Sequence, residues 1–392
     1  MLISHFDFLA PEQRAELFEC APLPLCGDEH PHVIGGALGA TLYMPADRPT
    51  LVSDIIRRRA QGVQSVVIDL EDSIAARDRP GALTAAAEAV RLLASEEAAL
   101  PLIFVRAPDP TALLDFAHRV GERSQALAGF ALPKFDAPDS GPAYFAALQA
   151  AETVIGHRLW AMPILEGATI AHRETRMDAL LLARKLIDGF QDRVVCVRIG
   201  ATDLSSAFGL RRNGESTIYD VRVVADAIAD IVNVFARDSP WSYPISGAVW
   251  EHFSTSSRLY KPRLREAPFL DQGATDYRRT LLSSGLDGLI AEVGLDQING
   301  LTGKTIIHPS HVAVVHALSA VTHEEYSDAT AIAATRADGG LVPSLYANKM
   351  NETTPHGAWA QRTLVRGQAF GVLRPDTTFV DLLLTADRMA RC

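Results

Sequence analysis

Cysteine is scarce in this chain of 392 residues: only Cys20, Cys26, Cys196 and Cys392 occur. Cys20 and Cys26 stand six apart with no second pair at zinc-ligand spacing, which argues against a zinc knuckle or a disulfide framework. Neither HxxxH nor HExxH spacing is present, and the serine-containing GATDLSSAFG segment lacks the GxxxxGK[ST] spacing of a phosphate cradle. Long apolar runs are also missing. Nothing approaches the ~18 residues of a membrane span, and the opening MLISHFDFLAPEQRAELF has neither the basic flank nor the apolar stretch of a secretion signal. An excess of basic residues is missing as well. Lys and Arg number 37 against 47 Asp and Glu, a formal net charge of −10, so phosphate backbones and anionic headgroups are poor partners. A cytoplasmic protein with no nucleic-acid or membrane partner is expected.

What is present is a large apolar fraction, 48% of residues, with a mean hydropathy of +0.08. That suffices for an extensive core. After an irregular segment to about Gly36, short β-branched runs alternate with helical patterns. Strands are expected at Ala40–Met44, Ser65–Leu70, Pro101–Arg106, Gly129–Leu132, Leu159–Leu165 and Val194–Ile199, each apolar on both faces as in buried parallel sheets. Helices are expected between them and at Tyr219–Ala236. Tyr243–Ser246 and Asp287–Ile290 are the candidates for a seventh and an eighth strand. Eight β-then-α units predict an α/β fold, a (β/α)8 TIM-type barrel over residues 37–320. It is expected to carry an N-terminal extension (1–36) and a C-terminal helical, lid-like extension (321–392).

Polar residues at the C-terminal ends of barrel strands face the active site. Asp69, Glu71 and Asp72 follow the second strand, and the period of two puts Asp69 and Glu71 on one face. Arg106 ends the third, Lys134 follows the fourth, Glu166 the fifth, and Ala201, Thr202 and Asp203 the sixth. Taken singly, each has a plainer reading. Glu166 or Asp203 suits a helix cap, Arg106 a structural partner of the acids, and Lys134 a solvated lysine. Their convergence on one barrel mouth favours a site.

The stretches ATLYMPADRP, SVVIDLEDSI, LIFVRA, FALPK, AMPILEGA, VRIGATDLSSAFG and GLTGKTIIHPSHV, in that order from Ala40 to Val312, resemble the HpcH/HpaI aldolase and citrate lyase superfamily, on its citrate lyase β-subunit side. The resemblance implies a carbon–carbon lyase or aldolase acting on, or forming, a 2-oxo acid. It implies Mg2+ (with Mn2+ as the alternative ion) held by Glu166 and Asp203, a substrate-binding Arg106, and a catalytic acidic pair at Glu71 and Asp72, with Asp69 beside it. Mg2+ is suited to so few carboxylates because it keeps several of its waters. Lys134, Ala201, Thr202 and His308 are further substrate-binding candidates. Lys134 as a Schiff-base lysine is weaker, since the metal pair makes that route unnecessary. In GKTIIHP, Lys304 and His308 either touch a phosphate or form a simple strand-to-helix turn opened by Pro309.

Three stretches depart from the family pattern. Residues 238–283 are long and polar, and YPISGAVWEHF has no counterpart. The acid-bearing DGRMID-like motif is replaced by Ala347-Asn348-Lys349-Met350-Asn351-Glu352, leaving Glu352 or His356 as substitutes. The tail of residues 339–372 is long. These features place the chain nearest the divergent C–C bond lyase group of tellurium-resistance-type gene clusters. They leave open whether an acyl thioester is a partner, and whether the chain is instead a thioester hydrolase or synthase, or a non-catalytic barrel subunit. A homo-oligomer is expected, its tail closing a neighbour's site.

Overall fold

Eight parallel strands close in sequential order into one barrel. In this computed structural model, residues 2–27, 29–122, 125–237, 242–253, 264–283, 285–335 and 339–391 are described. The strands are β1 (Ala40–Pro45), β2 (Ser65–Asp69), β3 (Leu102–Arg106), β4 (Leu127–Leu132), β5 (Trp160–Leu165), β6 (Val197–Ile199), β7 (Ile245–Trp250) and β8 (Thr302–Ile306). The barrel closes where Lys304, Thr305 and Ile306 pair with Ala40, Thr41 and Leu42. Around it lie α1 (Leu51–Ala60), α2 (Arg79–Leu93), α3 (Pro110–Val120), α4 (Ser140–Ile155), α5 (Arg173–Asp188), α6 (Arg222–Phe235), α7 (Leu286–Ile298) and α8 (His311–Ser319). β2 is apolar on both faces because one lines the barrel interior and the other packs under helices. Val66, Val67 and Ile68 are fully buried in succession. Among the described residues no helix is long and apolar enough to cross a membrane.

Two of the expected strands are corrected. The seventh runs from Ile245 to Trp250, so the segment without a family counterpart supplies a barrel strand. Part of the long polar stretch around it, residues 238–241 and 254–263, lies outside the described residues. Asp287–Ile290 is helical, inside α7, and the eighth strand is TGKTI. A short buried apolar run does not distinguish helix from strand by period. Here the apolar run of α7 is buried because the helix packs between β8 and neighbouring helices, with Leu289, Ile290 and Val293 buried.

Two acids of α7 explain the polar strand. Glu292 and Asp296 are one turn apart, and each places a carboxylate oxygen 2.6 Å from Lys304 Nζ, with all three side chains at most 2% exposed. Arg212 also pairs with Glu292, and the Tyr219 hydroxyl donates to Asp296 at 2.8 Å. Burial first, then Glu292, raises Asp296 to about 6 against the pull of Lys304. Lys304 is therefore sealed in the barrel wall, away from any phosphate. Replacing Lys304 with Met strands the two carboxylates, and a loss of about 3–5 kcal/mol is expected in denaturant unfolding; an unchanged midpoint would show that Arg212 and Tyr219 suffice.

The terminal segments are not irregular arms. Residues 11–17 and 31–37 are helical, and Phe18–Cys20 pairs with Val372–Leu373. The tail forms α9 (His323–Thr335), a hairpin of Leu341–Pro343 with Met350–Glu352, α10 (Gly357–Phe370) and α11 (Phe379–Arg391). Phe370 and Val372 are buried. Phe370 stacks on His5, which meets His316 edge-on, and His316 Nε2 accepts from the backbone N–H of Ala40 at the start of β1. The C-terminal end of α10 thus sits at the N-terminal end of its own barrel, opposite the strand ends that carry the acids.

Candidate active site

The C-terminal ends of β2 to β6 bring seven of the expected residues into one charged cluster. Asp69, the last residue of β2, is paired in register with Arg106, the last of β3. Arg106 Nε and Nη2 donate to the two Asp69 oxygens at 2.6 and 2.7 Å, a bidentate pair that fixes the guanidinium plane. Asp69 also accepts from the backbone N–H groups of Glu71 and Ser73. Its carboxylate is raised by burial but held below its ordinary value overall by Arg106. Nη1 of Arg106 is left facing Glu71 at 3.0 Å and Asp72 at 3.1 Å. Asp69 is thereby the residue that aims Arg106.

Lys134 comes to the same place from β4. Its Nζ pairs with Glu71 and lies 3.5 Å from Asp72 and 4.0 Å from Asp203. Its backbone is left-handed, with φ of 47°, unusual for a long side chain. That turn points its amide N–H at Glu166 Oε1, 2.8 Å away. Burial, then Asp72, pushes Glu71 up. Asp72 is also penalised by burial, but the hydrogen bond from Glu71 and the charges of Arg106 and Lys134 hold it low. Burial thus favours the protonated form of Glu71, while the surrounding charges favour the ionised form of Asp72.

Glu166 follows β5 and is 5% exposed. Its carboxyl is pushed up to about 8, by burial first and by Asp203 second. Asp203 lies in the short helix Ala201–Ser206 after β6 and is one-third exposed. Among the described residues no group of three or more His, Cys, Asp or Glu side chains could hold a metal ion. A pair of mutually repelling carboxylates, one buried and one a third exposed, nevertheless fits a hard, hydrated divalent cation, which takes one or two carboxylates and keeps its waters.

Residues 32–372 match the family of C–C bond lyases of the TIM-barrel fold. The chain belongs to it. No curated protein matches the chain significantly in sequence. Among solved structures, a citrate lyase from Burkholderia xenovorans is 17% identical, with 86% of this chain and 92% of that one covered and a TM-score of 0.57. CitE from Mycobacterium tuberculosis, solved with magnesium, acetoacetate and coenzyme A, is 20% identical over 85% of this chain and 98% of its own, at a TM-score of 0.49. RipC from Yersinia pestis is 17% identical over 71% and 94%, at 0.44. The likeness to the Burkholderia protein is one of fold.

In this C–C bond lyase one glycine is set by the site. A Cβ on Gly200 would lie 1.9 Å from Glu166 Oε2 and 2.4 Å from its Cβ. Gly200 is thereby the position that leaves room for the Glu166 carboxyl.

The remaining candidates are placed less centrally. Ala201 is buried in the first turn of the short helix, and the Thr202 hydroxyl donates to Glu251, beyond β7, at 3.3 Å. His308 stands apart from the acids, stacked on the exposed Phe253 at 5.0 Å with its Nδ1 2.8 Å from the Ser310 hydroxyl; burial, then Arg58, lowers its pKa. Glu352 and His356 are exposed, and no side-chain hydrogen bond or ion pair joins either to a strand-end residue of their own chain among the described residues. Sequence reasoning missed Tyr43 and Arg198. Tyr43 lies inside β1 with the Arg106 guanidinium 5.4 Å from its ring centre. The alternation of ATLYM carried that signal.

Proposed function

We propose that this lyase binds one Mg2+ or Mn2+ ion through Glu166 and Asp203 and breaks or forms the carbon–carbon bond beside the keto group of a 2-oxo acid. The observation that carries the reading is the pairing of Glu166 with Asp203, in which a buried carboxyl is raised to about 8. Such a pair is relieved when a cation lies against it. Bound there, the cation supplies Lewis-acid stabilisation of the oxygen charge that develops beside the reacting bond. Arg106 takes the substrate carboxylate on Nη1, the nitrogen not committed to Asp69, in competition with Glu71 and Asp72. Lys134, half-exposed and within 4.0 Å of both Asp72 and Asp203, neutralises charge that the substrate brings. Glu71 and Asp72, both beside Arg106 and Lys134, are placed to take up or return a proton at the reacting carbon. An acyl thioester as second substrate remains compatible with this chemistry.

Calorimetric titration of Mg2+ into the wild type and Glu166→Gln tests the metal reading. Glu166→Gln keeps the shape and removes the charge, so affinity is expected to fall at least about a hundredfold, because one carboxylate is too few for this ion. Equal affinities in the two proteins would sink it.

The same reading includes a homo-oligomer. Leu341, Leu345 and Met350 of the hairpin are 63%, 73% and 55% exposed, an apolar face suited to a second copy. With α10 tied to the floor of its own barrel, Glu352 and His356 would serve only a neighbour's mouth. Leu345→Asp with Met350→Asp is expected to shift the mass in analytical ultracentrifugation to the monomer and to abolish turnover. A monomeric wild type removes the proposal.

A further inference from the structure

Directly beneath the metal pair the barrel interior holds a cation with no anion. Arg198, on β6, pairs in register with Ile164 of β5, two residues before Glu166, so it lies roughly 6.6 Å below that acid along the strand. It is 1% exposed. Nη1 is 3.4 Å from the Thr41 hydroxyl and 3.6 Å from Met162 Sδ, and Nη2 is 2.5 Å from the Thr305 hydroxyl. Nε has no partner. The guanidinium carbon lies 5.5 Å from the centre of the Tyr43 ring, which Arg106 approaches from 5.4 Å. Arg106 has three carboxylates and Lys134 has two within 3.5 Å; among the described residues Arg198 has none.

A guanidinium does not deprotonate in a protein, and an unpaired buried charge is disfavoured by several kcal/mol. Its ionisable neighbours do not compensate it. Burial pushes the Cys196 thiol up to about 11 and raises the Tyr43 phenol, so both stay neutral. The hydroxyls point to a ligand. Arginine only donates, so Thr41 and Thr305 accept from it and keep their own O–H groups free to donate elsewhere. Ser65 stands beside Thr41 in the strand register, as Thr305 does on the other side, and the Ser65 hydroxyl is buried without a partner. Two orphaned polar groups and two spare O–H donors therefore belong to one set of strands, with Arg198 reaching Thr41 and Thr305 and Ser65 next to Thr41 in register.

We propose that Arg198, with the hydroxyls of Thr41, Ser65 and Thr305, forms an internal seat for one carboxylate-sized anion, separate from the Glu166–Asp203 pair above it. The anion has two sources of the same chemistry. It is a free small ion, or it is a second carboxylate of the substrate held at the mouth. Only the second source rests on the reading of the mouth as a 2-oxo acid site.

The test is thermal unfolding of the full chain in EDTA, at fixed pH and ionic strength, titrated with formate, chloride or succinate. Chelation keeps the outcome independent of the metal reading, which the Mg2+ titration decides separately. Wild type is expected to gain about 3 °C, saturably, at a hundredfold excess over the dissociation constant. Arg198→Met and Thr305→Val should lose the response. Succinate acting at a concentration at least tenfold below formate identifies the tethered carboxylate; equal or weaker action identifies the free ion. A wild-type melting temperature indifferent to all three anions overturns the seat, as does an Arg198→Met protein that responds like wild type. Should Arg198→Met not fold, bromide-soaked crystals of the wild type decide: an anomalous peak within 4 Å of Arg198, written as an expected distance of about 3.3 Å for a charge-assisted contact, supports the seat, and no peak there removes it.

Discussion

An Arg106→Lys enzyme is expected to lose at least about a hundredfold in kcat/KM while staying folded. The charge is kept, so the buried acids around it are still compensated and gross unfolding is not expected. What is lost is the geometry. Arg106 meets Asp69 with Nε and Nη2 and presents Nη1 to Glu71 and Asp72, two directions served by one rigid fork. A lysine ammonium is a single point on a flexible stem. It can satisfy Asp69 or reach the Glu71–Asp72 side, but not both. The loss of one well-aimed charge-assisted contact in the transition state, about 3 kcal/mol, corresponds to the hundredfold effect. Steady-state kinetics with oxaloacetate or pyruvate as the probe 2-oxo acid would check it, and the split is informative. A rise in KM alone assigns Arg106 to binding, and a fall in kcat alone assigns it to the reacting bond. Wild-type values of both would leave Arg106 as a partner of Asp69 and nothing more.

Much of this site was legible because of where the strands end. A buried parallel strand is a run of apolar residues, and the first charged residue after it marks the mouth. Asp69, Arg106, Glu166 and Asp203 each stand in that position. The eighth strand escaped the same logic because its alternate residues are polar. Thr305 serves the interior, and Lys304 is sealed by two acids of a helix whose own apolar run imitates a strand. The i, i+4 spacing of Glu292 and Asp296 was visible, but their partner was not, since nothing local in GKTII says that its lysine is buried against a helix. Arg198 was hidden for a similar reason. In VVCVRIG a single arginine at the end of a strand looks like a rim residue, and only the register with Ile164 places it below the rim. In the tail, Phe370 and Val372 are apolar, which says only that they dock on something. Their burial against His5 and Cys20 depends on an N-terminal segment more than 340 residues away, a contact no local pattern encodes.

Acid should open the molecule from that same end. His5 and His316 are both fully buried in the clasp that joins the N-terminal segment, the start of β1 and Phe370 of α10. Burial first of all lowers His5 to about 4 and His316 well below its ordinary value. Below pH 6.5 the unfolded chain protonates both imidazoles while the folded chain keeps them neutral. The unfolded state then binds more protons, so stability falls as the pH drops from 6.5, and for His5 the loss continues to about 4. Each histidine is expected to contribute about 1.4 kcal/mol per pH unit in that window. Carboxylates titrate there too, so the slope has to be read by difference. In His316→Gln the amide oxygen can accept from the Ala40 N–H as the imidazole does, and the variant does not titrate. Urea unfolding at pH 7.5, 6.5 and 5.5 should show its stability falling less steeply than that of the wild type by about 1.4 kcal/mol per unit below 6.5. Parallel slopes would mean that His316 is already protonated in the fold, against the hydrogen bond it accepts from Ala40. The acids at the mouth lie at the other end of the barrel, so hydrogen exchange at pH 5.5 should rise first at Ala37, Ala40 and Phe370, before it rises at Lys134 or Glu166.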